Sequence, residues 1–378
     1  MLDVLERMRL IDHHCHGVSR RDLDRAAFEG MLTEGGAPGP LGGSMFDTRA
    51  GLAVRRWCAP VLDLPPHAAP DDYVARRAEL GAAEVNRRFL AAAGLEALCV
   101  DTGYLPEPLL EPAELGRLAG ARAHEIVRLE KVAEDAVAGG VGAGAFASEV
   151  RARLEVLAGT AAGAKSVAAY RAGLELSGER PTAAEVVAAA GRMLREADRA
   201  MAGRSAPPRV DDEALHRFLV WCAVDLRLPV QFHVGYGDAD ADLRRGDPLL
   251  LTGLLRALEP TGVPVLLLHN YPFHRQAGYL AQVFGNVFVD VGLATHNLGH
   301  RSSALITELL ELAPFGKVLY SSDAFGLAEF YHLGALLFRR GLAVCLREGI
   351  DTDAWTRADA ERFAGLAASG NARRVYGW

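Results

Sequence analysis

The chain has 378 residues, half of them apolar, 7% aromatic, and a formal net charge of −7 with acids and bases interleaved. That is enough for one large core, although length alone would allow two or three domains, and nothing in the charge pattern suggests a nucleic-acid surface. The five cysteines (Cys15, Cys58, Cys99, Cys222 and Cys345) are scattered, odd in number and free of any C-x-x-C pair, which argues against a disulfide framework or a zinc knuckle. No apolar run reaches membrane-spanning length, and the segment from Met1 to Met8 carries acids where a signal peptide would be basic and then apolar. The expectation is a cytoplasmic protein acting on a small molecule, with no nucleic-acid or membrane partner and with homo-oligomerisation left open.

The first strand signal is Arg9-Leu10-Ile11-Asp12, which runs into His13-His14-Cys15-His16. Strand side chains alternate faces, so His14 and His16 are expected on one face and His13 and Cys15 on the other. Residues 18–92 are too long for an ordinary connection. Helical spacing at 21–31 and 70–93, separated by the breaker-rich Gly35–Gly43, predicts a helical insertion over the mouth of the main domain.

Further apolar runs follow at 96–101, 123–130, 162–167, 228–233, 263–269, 286–291 and 317–323. Helical patterns lie between them, at 181–203 and 211–226 among others, and helical tails at 327–347 and 353–375 close the chain. Gly139–Gly144 lacks the Lys-Ser/Thr of a phosphate loop and reads as a connector. Eight apolar strands alternating with helices predict an α/β chain forming a single (β/α)8 TIM-like barrel domain over 1–378. The competing doubly wound sheet would more often place a glycine-rich turn after strand one, where His14-Cys15-His16 stands.

In such a barrel, chemistry sits at the carboxyl ends of the strands. The runs end on His14 and His16, Asp101, Glu130, Lys165, His233, His269, Asp290 and Asp323. Read singly, His233 or His269 is as well explained as a hydrogen-bonded core histidine, and Asp323 as a helix cap. Jointly, histidines and a carboxylate on separate strand ends fit a borderline divalent ion such as zinc, with room left for water. Such an ion would lower the pKa of its water from 15.7 toward about 7. Asp323 is the candidate to take and return the proton. Arg128, Arg171 and Arg301 are candidates for holding a substrate carboxylate, since guanidinium matches it through two parallel hydrogen bonds. Each also fits a structural ion pair. Tyr170, Tyr236 and Tyr271 follow strand ends.

Asp12-x-His14-x-His16, His233, His269 and Asp323 together resemble the metal-dependent amidohydrolase superfamily (amidohydrolase family 2). The stretches Lys165–Leu174, His269–Phe273, Arg275–Ala281, Val287–Gly292 and Lys317–Asp323 resemble the fungal FluG-type and plant nodulin-type branch. The resemblance covers roughly residues 1–16 and 95–345. It implies that His14, His16 and His233 hold the metal, that Asp323 is ligand and general base, and that His269 polarises the substrate or binds a second metal. In binuclear relatives a carboxylated lysine on strand four bridges two ions and a tyrosine five positions on touches substrate, and Lys165 and Tyr170 have that spacing. One zinc is the favoured expectation and two remain open. Glu130, Tyr170 and the arginines complete the expected substrate site. The implied reaction is hydrolysis of an amide-type bond in a carboxylate-bearing substrate; the alternative is a decarboxylase or uronate-isomerase-like use of the same barrel.

Overall fold

Seven parallel strands organise the computed structural model, which describes residues 1–36, 41–104, 108–201, 203 and 209–378. One seven-stranded parallel sheet runs in the order β1 (Leu10–Cys15), β2 (Leu95–Asp101), β3 (Arg122–Arg128), β4 (Gly163–Ser166), β5 (Val230–Val234), β6 (Val265–His269) and β7 (Val287–Val289). All are parallel neighbours in sequence order, as expected when apolar strands are covered by crossover helices.

The expected eighth strand departs from this pattern. Residues 317–323 form no ladder; Val318 makes one isolated parallel bridge to Val289, and Leu319 N–H donates to Val289 O at 3.0 Å. On its other side, His13 N–H donates to Tyr320 O at 3.1 Å and Asp323 N–H to His14 O at 3.0 Å. The segment therefore lies between β7 and β1. Its second half is Ser321-Ser322-Asp323, and there Ser322 N–H and Oγ turn to the Asp12 carboxylate at 2.9 and 2.5 Å instead of a neighbouring strand.

Two other strand ends also shift. β3 stops at Arg128 and Glu130 lies in the first turn of the helix Leu129–Ala138, while Asp290 falls just past β7. Between β1 and β2 lie the helices Arg25–Gly30, Arg49–Ala53 and Pro70–Ala92, close to the helical spacing in the sequence. Part of the breaker-rich stretch, 37–40, lies outside the described residues. The long helix Pro70–Ala92 is tied to the helix Ala328–Asp351 by a buried pair. Arg77 Nε lies 2.6 Å from Glu329 Oε1, and Tyr73 Oη donates to the same oxygen at 3.0 Å.

The main core fills the space between sheet and helices. A smaller one, built on Ile11, Ala97, Leu266, Leu268, Phe288 and Leu319, lies inside the curl of the sheet and is closed by Ala372 and Val375 of the helix Asn371–Tyr376. Each large apolar side chain so buried contributes about 1.5–3 kcal/mol. This packing makes a rigid floor beneath the strand ends. No helix among the described residues is long and apolar enough to cross a membrane.

Candidate metal centre and its cavity

His14 and His16 reach the same oxygen from the end of β1. His14 Nε2 is 3.1 Å and His16 Nε2 3.3 Å from Asp323 Oδ1, and one ligand atom from each of the three residues lies within 4.8 Å of the others. His16 Nδ1 is 3.2 Å from the Asp101 carbonyl. Donation there leaves Nε2 with its lone pair facing the carboxylate. The pairing of β1 with β2 slips between Asp12 and Cys15. Strict alternation is lost near that slip, and His13 does not take the face opposite to His14 as the two-residue period predicts. Instead His13 Nε2 reaches Asp290 Oδ2 at 2.8 Å while His14 Nε2 reaches Lys165 Nζ at 2.9 Å, so the two adjacent histidines both point across the inside of the sheet. Cys15 alone keeps the outward direction, its thiol at 3.4 Å from the Cys99 carbonyl.

Asp323, His269 and Asn270 hold φ values of +49°, +68° and +57°. Non-glycine residues there cost about 1–3 kcal/mol each and persist only when their surroundings fix them. His269 N–H donates to Asp290 Oδ1 at 2.8 Å, and Asn270 Nδ2 to the Leu267 and Asp290 carbonyls at 2.6 and 2.9 Å. The result aims His269 Nε2 at Asp323 Oδ2, 3.5 Å away. His233 stands beside the three-residue group, its ring 4.7 Å from His269 and 4.3 Å from Tyr170. The Nε2 of His233 and both ring nitrogens of His269 are buried without a hydrogen-bond partner among the described residues.

Burial sets the charge states. It pushes His14 down to about 3 and His269 to about 4, and His233 well below the usual imidazole range, so all three are neutral with lone pairs available. Burial works to raise the Asp323 carboxyl, but His269, His14 and His16 outweigh it and hold it well below the usual carboxylate range. Neutral imidazoles around an ionised carboxylate, several of them unpartnered, form a donor set that fits a divalent cation. Lys165 is 2% exposed and its ammonium is disfavoured by burial.

A cavity of about 440 Å³ opens above this group, with His16, Lys165, His233 and Asp323 in its floor. Arg128, Tyr170 and Arg171 stand in its wall as expected, and the helix Arg25–Gly30 with the segment after it, including Glu34, also lines it. Arg128 is engaged with Asp101, Nη2 to Oδ2 at 2.7 Å. Tyr170 reaches its place because position 237 is glycine; a Cβ there would lie 1.8 Å from its hydroxyl.

Two expected substrate contacts lie elsewhere. Glu130 Oε1 accepts from Ser166 Oγ, Val167 N–H and His216 Nδ1 at 2.7, 3.0 and 3.1 Å, a buried knot away from the cavity lining. Its place in a helix rather than on a strand end turns it away. Arg301 is exposed in the turn Gly299–Arg301 and borders a separate depression beside Glu308. His296 was not foreseen: it lies 1% exposed in the helix Gly292–Asn297, stacks on Phe330 at 4.1 Å and lines the cavity. Nothing in the local sequence marks it beyond its place after strand seven.

Residues 121–378 match the Amidohydrolase family (Amidohydro_2). The chain belongs to this family. It is 30% identical over 225 residues to the protein fluG of Emericella nidulans, a match covering 57% of this chain and 25% of that protein's length. A structure from Lactobacillus casei ATCC 334, provisionally assigned as a metal-dependent hydrolase, superposes with a TM-score of 0.85 at 27% identity, covering 99% of this amidohydrolase-family chain and 96% of the other. A uronate isomerase from Thermotoga maritima shares the fold with a TM-score of 0.63 at 12% identity, over 99% and 96% of the two chains.

Proposed function

We propose that this amidohydrolase-family chain is a metal-dependent hydrolase that cleaves an amide-type bond in a small carboxylate-bearing substrate. The observation that carries the reading is the convergence of His14, His16 and Asp323 within 4.8 Å, with His16 and Asp323 in the floor of a cavity. In this reading the chain is one (β/α)8 barrel domain over 1–378, with 317–323 as its eighth strand and 18–92 inserted after the first. His14, His16 and Asp323 would hold one zinc ion, with the neighbouring His233 as a further ligand; a second ion would require Lys165 and His269. A cation held there supplies Lewis acidity and draws the pKa of a water toward about 7.

The chain's own groups do the rest. Asp323, ionised and beside His269, accepts a proton from the attacking water and returns it to the leaving amine. His269 is held by its left-handed turn to orient the substrate carbonyl. Arg171 receives the carboxylate, because its Nε has no hydrogen-bond partner among the described residues, whereas Arg128 already grips Asp101.

Product analysis of the zinc-loaded protein on amides tests this. Release of amine supports hydrolysis. Release of CO2, or aldose–ketose exchange on a sugar acid without any amine release, overturns it in favour of the decarboxylase or isomerase use of the same site.

A further inference from the structure

The cavity has two walls of opposite chemistry. On one, Arg171 has a buried Nε without a hydrogen-bond partner among the described residues, and its Nη1 comes only within 4.0 Å of Asp240; Arg209 lines the same cavity and repels it. On the other, Glu34 descends from the segment after the helix Arg25–Gly30 and hydrogen-bonds the Asn297 side chain. His296 lines the same cavity as Glu34, so a carboxylate and an imidazole both face it from outside the arginine wall.

Both groups on that wall lack what they would bind. The His296 ring is hydrogen-bonded to the Ser322 backbone, and its Nδ1 has no partner among the described residues. Burial lowers its pKa to about 4, so the ring is neutral. With one nitrogen donating to a carbonyl, Nδ1 carries a lone pair and can only accept. Glu34 has no ion pair with any described residue; burial, then Asp323 and Asp238, push its pKa up to about 7. Glu34 lines the cavity half-buried, and its carboxylate can accept from a cationic donor there.

The geometry points to a substrate carrying a free ammonium group as well as a carboxylate, the ammonium held between Glu34 and His296 Nδ1 and the carboxylate by Arg171. The inference rests on the reading that this cavity is the active site, and it adds to that reading the second charge of the substrate. An ammonium has three N–H donors and no acceptor, which suits a wall of acceptors. A substrate with a carboxylate alone would satisfy the arginine wall and leave Glu34 and His296 unmet. Asp238, exposed at the mouth, adds negative charge on the path to Glu34.

The test compares two probes that differ only by a terminal amino group, 5-aminopentanoate and pentanoate, by calorimetric titration of the metal-loaded protein. 5-Aminopentanoate is expected to bind about tenfold more tightly than pentanoate. Glu34→Gln is expected to bring 5-aminopentanoate to within about twofold of pentanoate. His296→Leu gives the same comparison should the first variant fail to fold. The inference is overturned if pentanoate matches 5-aminopentanoate in the unaltered protein, if neither binds at millimolar concentration, or if the preference for 5-aminopentanoate survives both substitutions. Because binding is read without turnover, the two readings fail separately. Preference for 5-aminopentanoate without amine release from any amide removes the hydrolase alone; amide hydrolysis without that preference removes this inference alone.

Discussion

The backbone N–H of His269 donates to one oxygen of Asp290 at 2.8 Å, and the other oxygen of that carboxylate lies 2.8 Å from His13 Nε2. His13 Nδ1 meets the Tyr376 hydroxyl at 3.2 Å, and that hydroxyl accepts from Gln231 Nε2 at 2.9 Å. The chain of hydrogen bonds runs from Gln231 through Tyr376 and His13 to the accepting carboxylate of Asp290. It links the helix Asn371–Tyr376 beneath the sheet to the turn that aims His269. Asp290→Ala is expected to free that turn and lower kcat about 100-fold, the scale of a misplaced reacting group, with KM and metal content little changed. Asp290→Asn keeps an acceptor for His269 N–H and should recover part of the loss. Unchanged kcat in the alanine variant would remove Asp290 from the positioning of His269.

Glu34 makes a pH-dependent contribution of unusual sign. Its pKa in the folded chain, about 7, lies above the ordinary 4.5, so between those values the folded state holds more protons than the unfolded one. Stability therefore falls as pH rises through that window and the penalty is complete above it. Glu34→Gln is expected to raise Tm at about pH 8 and to leave it unchanged near pH 4.5. Equal shifts at both pH values would contradict the raised pKa of Glu34.

The Arg77–Glu329 pair, with side chains 5% and 0% exposed, joins two long helices. Removing one partner strands the other: Arg77→Met is expected to cost about 3–5 kcal/mol in urea unfolding, and adding Glu329→Gln should return part of it. A loss within about 1 kcal/mol would mean that water reaches the carboxylate.

Much of the site could be read from the sequence because strand ends are easy to see: a polar residue closing an apolar run points to the rim of the sheet. That logic found His14, His16, His233, His269, Lys165 and Asp323, which contact one another in a single cluster. It failed where backbone detail intervenes. A slip in the β1–β2 pairing puts the adjacent His13 and His14 on one face, and helix starting at Leu129 takes Glu130 away from the rim. The segment 317–323 has strand composition in its first half, but Asp12 captures the donors of Ser322. Glu34 and His296 were invisible for another reason. Each comes from a helix-rich connection, where no period of two or of 3.6 announces which side chain faces a cavity formed with distant parts of the chain.

The most direct test of the central claim is divalent metal content per chain, measured on the purified protein and on His16→Ala after identical dialysis. The account predicts one ion per chain in the unaltered protein, its loss in His16→Ala, and loss of turnover with it. Turnover by metal-free protein, or an ion retained undiminished in His16→Ala, would contradict it.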